Sequence, residues 1–292
     1  MLARTVSLAL CLLTFALVVL GGVVHATGSS LACPDWPTCH GSLAPAMVGG
    51  VRFEHSHRLL AGAVVLATLG LSLSARGLPG SSRPRRIALV ALGLVVVQAL
   101  LGAATVLLRL PAAISIAHLA VAMSFFLVSI WLAWLLHAQH GGAASETRPH
   151  RRLVLFALIC VGGQILLGAL VRHTSSGLAC LSFPGCDGSA SALDARQWIH
   201  LAHRAGALMV AVSIGWLALR SVRGPATHEQ LLVLVAVTLA GAQVVLGVLS
   251  VLSTLAVWAV TLHLALGTLL LAVLWLTWLW SSPPRRSDAA VG

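Results

Sequence analysis

Eight stretches of the chain, at about 5–25, 57–76, 87–108, 112–136, 153–172, 200–219, 230–253 and 255–280, run apolar for 18 residues or more. At 1.5 Å of rise per residue, each is long enough as a helix to cross a hydrocarbon layer of about 30 Å. Backbone groups in lipid must be hydrogen-bonded within the spanning segment, and these runs are too long and too uniformly apolar for barrel strands. The expected fold class is therefore all-α, a polytopic membrane protein of eight transmembrane helices. Composition agrees, with 59% of the residues hydrophobic and only 9% charged. The first run follows Arg4 as a secretory signal would, but it is longer than a usual signal core and has a counterpart later in the chain, so it reads as a retained helix.

Orientation follows from arginine, since the chain has no lysine. With both termini in the cytoplasm, Arg4, Arg76, Arg83, Arg85, Arg86, Arg148, Arg151, Arg152, Arg220, Arg223, Arg285 and Arg286 lie inside. Only Arg52, Arg58, Arg109, Arg172, Arg196 and Arg204 lie outside. The net charge of +11 is thus explained by topology and by contact with anionic membrane lipid, and no nucleic-acid partner is needed. Tryptophans fit interfacial belts, with Trp131, Trp134, Trp216, Trp275, Trp278 and Trp280 toward the inner ends and Trp36, Trp198 and Trp258 toward the outer side.

The chain also repeats itself. "GGVVHATGSSLACPDWPTCHG" (21–41) aligns with "GALVRHTSSGLACLSFPGCDG" (168–188), and "EHSHRLLAGAVV" (54–65) with "HLAHRAGALMVA" (200–211), while His118 falls opposite His263. The offsets are 145–147 residues throughout. A repeat containing an even number of helices keeps its orientation, so two parallel four-helix bundles related by pseudo-twofold symmetry are expected, the axis lying along the membrane normal. The N-terminal bundle is 1–136, the C-terminal bundle 153–292, and the polar, Gly/Ala-rich stretch 137–152 reads as a cytoplasmic linker. The odd-numbered runs share a further pattern: "LVVLG" (17–21), "QALLG" (98–102), "QILLG" (164–168) and "QVVLG" (243–247). It reads as helix packing, with Gln98, Gln164 and Gln243 lining a ligand pocket as the alternative.

His57, His118, His203 and His263 sit near the outer ends of the even-numbered runs, whereas His137, His140, His150 and His228 belong to cytoplasmic loops. Ionisable groups within a membrane are costly and mark function. Two imidazoles facing each other across a bundle suit axial ligation of a haem iron, while zinc and copper sites gather three or four donors. The pairs His57/His118 and His203/His263 are therefore the candidate metal ligands. Arg58 and Arg204, each following a ligand candidate, and Arg172 are candidate contacts for haem propionates. The halves differ three residues before the first ligand, where one carries Glu54 and the other His200. A carboxylate there can move protons or stabilise positive charge in an oxidation, so the first half is expected to do chemistry and the second to supply electrons.

Cys33 and Cys39, and Cys180 and Cys186, fall in the first and third outer loops, where disulfides form, and the repeat favours these two pairings. They read as structural staples, with redox activity of the first pair as the alternative. Cys11 and Cys160 read as apolar filler.

The "CPDWPTCHG" loop, the "EHSHR" element and the duplicated four-histidine layout together resemble the bacterial haem A synthase family across essentially the whole chain. The resemblance implies haem b as cofactor on His203 and His263, and haem O as substrate between His57 and His118. The C8 methyl of haem O would be oxidised to a formyl group, giving haem A for cytochrome oxidase. Glu54 matches the family's catalytic acid, and Cys33 and Cys39 match its outer-loop pair. The implied setting is the bacterial cytoplasmic membrane, and the implied partners are haem O synthase and an electron donor, while a homo-oligomer is left open. His25 stands where the family carries an Arg, which leaves Arg52 or Arg58 as substitutes, while Arg172 is kept in the repeat; His40 is also family-like. Without the resemblance, a di-haem b-type cytochrome passing electrons from quinol and a haem carrier remain the rival readings.

Overall fold

The computed structural model describes residues 2–75, 82–138, 150–186, 193–222 and 228–281. It consists of α1 (Leu2–Ala26), α2 (Val51–Ser74), α3 (Ser82–Leu107), α4 (Ala112–Ala138), α5 (Arg151–His173), α6 (Ala195–Ser221), α7 (His228–Leu252) and α8 (Val257–Trp280), with no strand among the described residues. All eight helices are long and apolar enough to cross a membrane. Most of the linker read at 137–152 lies outside the described residues, as do Arg76, His140, Arg148, Arg223, Arg285, Arg286 and the side chain of His228.

Helix contacts close two rings, α1–α2–α3–α4 and α5–α6–α7–α8, which meet through α1–α8, α4–α5 and α4–α8. The joining helices are the most buried: half of the apolar window of α4 and 44% of that of α8 is covered, against 17–28% for the others. Their shared seam is aromatic. Trp275 packs edge-on to Trp131 and stacks on Trp278, and its indole N–H donates to the Leu127 carbonyl at 2.8 Å. Three of the tryptophans read as interfacial line this seam, where α4 presents the acceptor that the Trp275 indole takes.

All four odd helices end the same way. A left-handed residue (Gly28, Arg109, Ser175 or Thr254) is followed by a residue whose N–H reaches back five positions: Ser29 to Val24, Leu110 to Thr105, Ser176 to Val171 and Leu255 to Ser250, at 2.7–2.9 Å. This is the Schellman closure that satisfies terminal carbonyls. In two of them the next residue, Leu110 or Leu255, is also left-handed, although its side chain resists that conformation. His118 lies eight residues after Leu110 and His263 eight after Leu255, so matching turns set both histidines at the same register.

Three helices start five or six residues earlier than hydropathy alone suggested, α3 at Ser82 rather than 87 among them. α2 begins at Val51 rather than 57, and α6 at Ala195 rather than 200, where Asp194 and Gln197 form a reciprocal capping box. In α2 the added turn, masked by polar residues, holds Glu54, and in α6 it leads into His200. Both residues thereby become helical and nearly fully buried.

Candidate functional site

Each of the four candidate ligands is seated against a glycine of the preceding odd helix. A Cβ added at Gly21, Gly102, Gly168 or Gly247 would lie 3.1, 3.2, 3.1 or 3.6 Å from Cε1 of His57, His118, His203 or His263. These are the glycines that end the repeated five-residue pattern, so that pattern, which reads in sequence as helix packing, clears space for imidazoles. The glutamines one turn earlier serve the same side chains. The Gln98 amide nitrogen is 3.3 Å from Nε2 of His118, the Gln164 amide donates to the His203 carbonyl at 2.8 Å and lies 3.0 Å from its Nδ1, and Gln243 donates to the His263 carbonyl at 2.8 Å.

The rings of His203 and His263 are 6.4 Å apart between centroids, inclined by 66°. A metal bound by two imidazole nitrogens at about 2 Å each would hold ring centres roughly 6 Å apart, so this pair has the spacing of two axial ligands. His57 and His118 are likewise within electrostatic reach of one another. Nδ1 of His57, His118 and His263 is buried with no hydrogen-bond partner. Orphaned imidazole nitrogens in an apolar bundle are costly unless something else occupies them. Glycine clearance, ring spacing and orphaned nitrogens together fit an iron porphyrin that takes one imidazole on each face.

The outer loops are anchored by the residues flanking these ligands. Both expected disulfides are present, Cys33–Cys39 and Cys180–Cys186. Glu54 Oε2 accepts the Cys33 N–H at 2.8 Å, and in the other half His200 Nδ1 accepts the Cys180 N–H at 3.3 Å. Arg58 donates to the carbonyls of Cys33, Asp35 and Thr38 and to Glu54 Oε1 at 2.7 Å. Arg204 donates to the carbonyls of Cys180, Ser182, Pro184 and Gly185. Both guanidinium groups, expected from sequence to meet propionates, are engaged with loop carbonyls. Arg172 donates instead to the His25 carbonyl at 2.9 Å, across the seam between the rings of helices. The His25 imidazole in turn stacks at 4.8 Å on His173, a contact that sequence did not suggest.

The first loop has a further clamp that sequence reasoning missed. Asp35 accepts from the Thr38 hydroxyl and from the His40 and Gly41 backbone N–H groups, and these bonds, the Thr38 hydroxyl first, hold its carboxyl well below the usual carboxylate range. The spacing Asp-x-x-Thr-x-His-Gly was the available signal. His40 folds back to the Ala32 carbonyl at 2.9 Å. Cys33, Cys39 and His55 cluster closely enough to hold a metal, but both sulfurs are spent in the disulfide.

A family model described as "Cytochrome oxidase assembly protein" (COX15-CtaA) matches residues 4–48 and 51–275. Relatives named "Heme A synthase" include one from Bacillus licheniformis, 32% identical over 198 residues covering 65% of this chain and 66% of that protein. One from Bacillus pumilus is 29% identical over 83% of this chain and 84% of its own. A third, from Lysinibacillus sphaericus, is 29% identical over 88% of each.

Proposed function

Since the chain belongs to the COX15-CtaA family of cytochrome oxidase assembly proteins, we propose that it is a haem A synthase whose two halves have separate duties. His203 and His263 hold haem b, and His57 and His118 bind the iron of the substrate, haem O. The reaction turns a ring methyl into a formyl group, which removes two hydrogens, adds one oxygen and withdraws four electrons from the carbon; with dioxygen as the oxidant, each of two successive hydroxylations consumes one O2, two protons and two electrons from a donor and releases one water, and the resulting geminal diol loses a further water. Haem b, when bound, supplies one-electron transfer. The observation that carries this division is the repeat-breaking pair Glu54/His200. Both accept the N–H of the first loop cysteine, yet only Glu54 is a carboxylate.

His57 and His118 would hold the substrate by its iron, between α2 and α4. Glu54, three residues before His57, buried and paired with Arg58 at 2.7 Å, is the carboxylate that would accept a proton during the oxidation. The disulfide loop, tied to Glu54 and Arg58, covers the end of α2 and excludes water from the same region. The arginine distribution supports a topology with both termini in the cytoplasm and the disulfide loops on the far side of a bacterial cytoplasmic membrane. Haem O synthase and an electron donor are the partners this role requires.

The test is conversion in cells that make haem O but no haem A. Expression of this chain should yield a haem with the mass of the formyl product in extracted pigment. A chain that is correctly inserted and carries haem b, yet leaves haem O untouched, refutes the enzyme reading and leaves the quinol-linked cytochrome.

A further inference from the structure

Three of the four odd helices bring an amide to a histidine, and α1 breaks the rule. Gly21 clears space for His57 just as the other glycines do for their histidines, but the position one turn earlier is Leu17 where the others carry Gln98, Gln164 and Gln243. That position is the one the rings approach: His57, His118 and His263 come up to the backbone of Leu17, Gln98 and Gln243 without closing a hydrogen bond through Nδ1. An amide carries a donor and an acceptor on one planar end and can serve a ring nitrogen in either role; an isobutyl group can do neither.

The second half is built around its amides. A Cβ at Gly206, one turn after His203, would stand 2.2 Å from Gln164 Oε1, so this glycine makes room for the side chain that orients the ligand. Gly267, one turn after His263, likewise faces Gln243, with the added Cβ 3.6 Å from Oε1. Both ligands of the second pair are therefore tied to an amide, His203 at its ring and carbonyl by Gln164 and His263 through its backbone carbonyl by Gln243, whereas in the first pair only His118 is, at its ring by Gln98. Outer partners that orient a ligand histidine change metal affinity by about 10- to 100-fold when they are lost.

We propose that Gln98, Gln164 and Gln243 are positioning residues for the ligand histidines, and that Leu17 makes His57 the weakly held one. The half carrying His57 and His118 is then the half that exchanges its haem, while the His203/His263 half keeps its own. This rests on the reading above, in which both pairs ligate haem. It deepens that reading, because turnover must admit haem O and release haem A through one pair without disturbing the other.

The experiment loads the purified full-length chain with haem b and follows its transfer to excess apomyoglobin. Two phases are expected. Leu17→Gln should slow the fast phase about 10-fold, with Leu17→Met as a size control that leaves it unchanged. Gln164→Ala and Gln243→Ala should each accelerate the slow phase about 10-fold or more and shift the low-spin g values of that haem. A purely structural role for these glutamines would lower the thermal midpoint and leave the g values in place. The inference is overturned if Leu17→Gln releases haem at the wild-type rate, or if Gln164→Ala and Gln243→Ala leave both the slow phase and the g values unmoved. Should Leu17→Gln fail to fold, the two glutamine variants decide alone. A chain that binds haem in neither half, or that keeps its slow phase in His203→Ala and His263→Ala, overturns the underlying reading of the histidine pairs instead.

Discussion

Gly168→Ala and Gly247→Ala make the same chemical change on the two helices that flank one histidine pair, yet the structure predicts different outcomes. At Gly168 the new methyl would sit 3.1 Å from Cε1 of His203, and at Gly247 it would sit 3.6 Å from Cε1 of His263. Carbon–carbon contact is most favourable near 3.5–4 Å. The first methyl therefore overlaps its ring by about 0.4 Å and the second makes an ordinary contact. Backbone cannot yield easily inside a packed bundle, so the His203 ring must shift by about that amount, close to the ~0.5 Å within which a ligand stays productive. Overpacking of this kind costs about 1–3 kcal/mol. Haem affinity in the second half should fall about 10-fold in Gly168→Ala, as when an outer-shell support is lost, and stay within about twofold of wild type in Gly247→Ala. Any change in helix propensity is shared by the two, so their difference isolates the contact. Titration of the detergent-solubilised chain with haem b, followed by the low-spin absorption bands, measures it. Equal affinities for the two variants would refute the idea that these glycines exist to seat the imidazoles.

The loop clamps give three further expectations. Glu54→Ala should lower haem A formation by about 100-fold or more, as loss of a positioned proton acceptor does, while leaving the low-spin spectrum of the His203/His263 haem intact; pigment analysis of cells expressing the variant checks both. Asp35 has its pKa depressed in the folded loop, chiefly by the Thr38 hydroxyl and then the Gly41 N–H. Its contribution to loop stability is therefore complete above the unfolded carboxylate value near 4 and is lost only as pH falls through the lower folded value. The Cys33–Cys39 bridge should resist a phosphine reductant equally at pH 5 and pH 7 in the wild type and yield faster at both in Asp35→Asn. Arg204→Ala removes the donor shared by four carbonyls of residues 180–185, and reduction of Cys180–Cys186 should accelerate. Arg204→Lys should not restore it, because a single ammonium cannot span the fork of contacts.

Much of this was legible from residues alone. Eight apolar runs gave the helices, the 145–147 offset gave the repeat, and the histidines singled out in the even runs include His203 and His263, whose ring centroids stand 6.4 Å apart. Hydropathy failed at the starts of α2 and α6, because their first turns carry Arg52, Glu54 and His55, or Arg196 and Gln197, and polarity at a helix end reads as loop. The packing of Trp131, Trp275 and Trp278 into one seam was not legible, since an aromatic near a helix end looks the same whether it faces headgroups or a neighbouring helix. The roles of Arg58 and Arg204 depended on where loop carbonyls converge, which spacing does not encode. The glycine and glutamine rows were visible as a pattern, yet their purpose appears only when the neighbouring helix sets a histidine opposite each one.

Acid–acetone extraction of pigment from the purified chain, with porphyrin quantified per polypeptide, tests the central claim most directly. The account predicts one equivalent of haem b, lost in both His203→Ala and His263→Ala, together with a variable amount of haem O or haem A that depends on His57 and His118. Two equivalents of haem b and no other porphyrin, or pigment that survives replacement of His203 and His263, would contradict it.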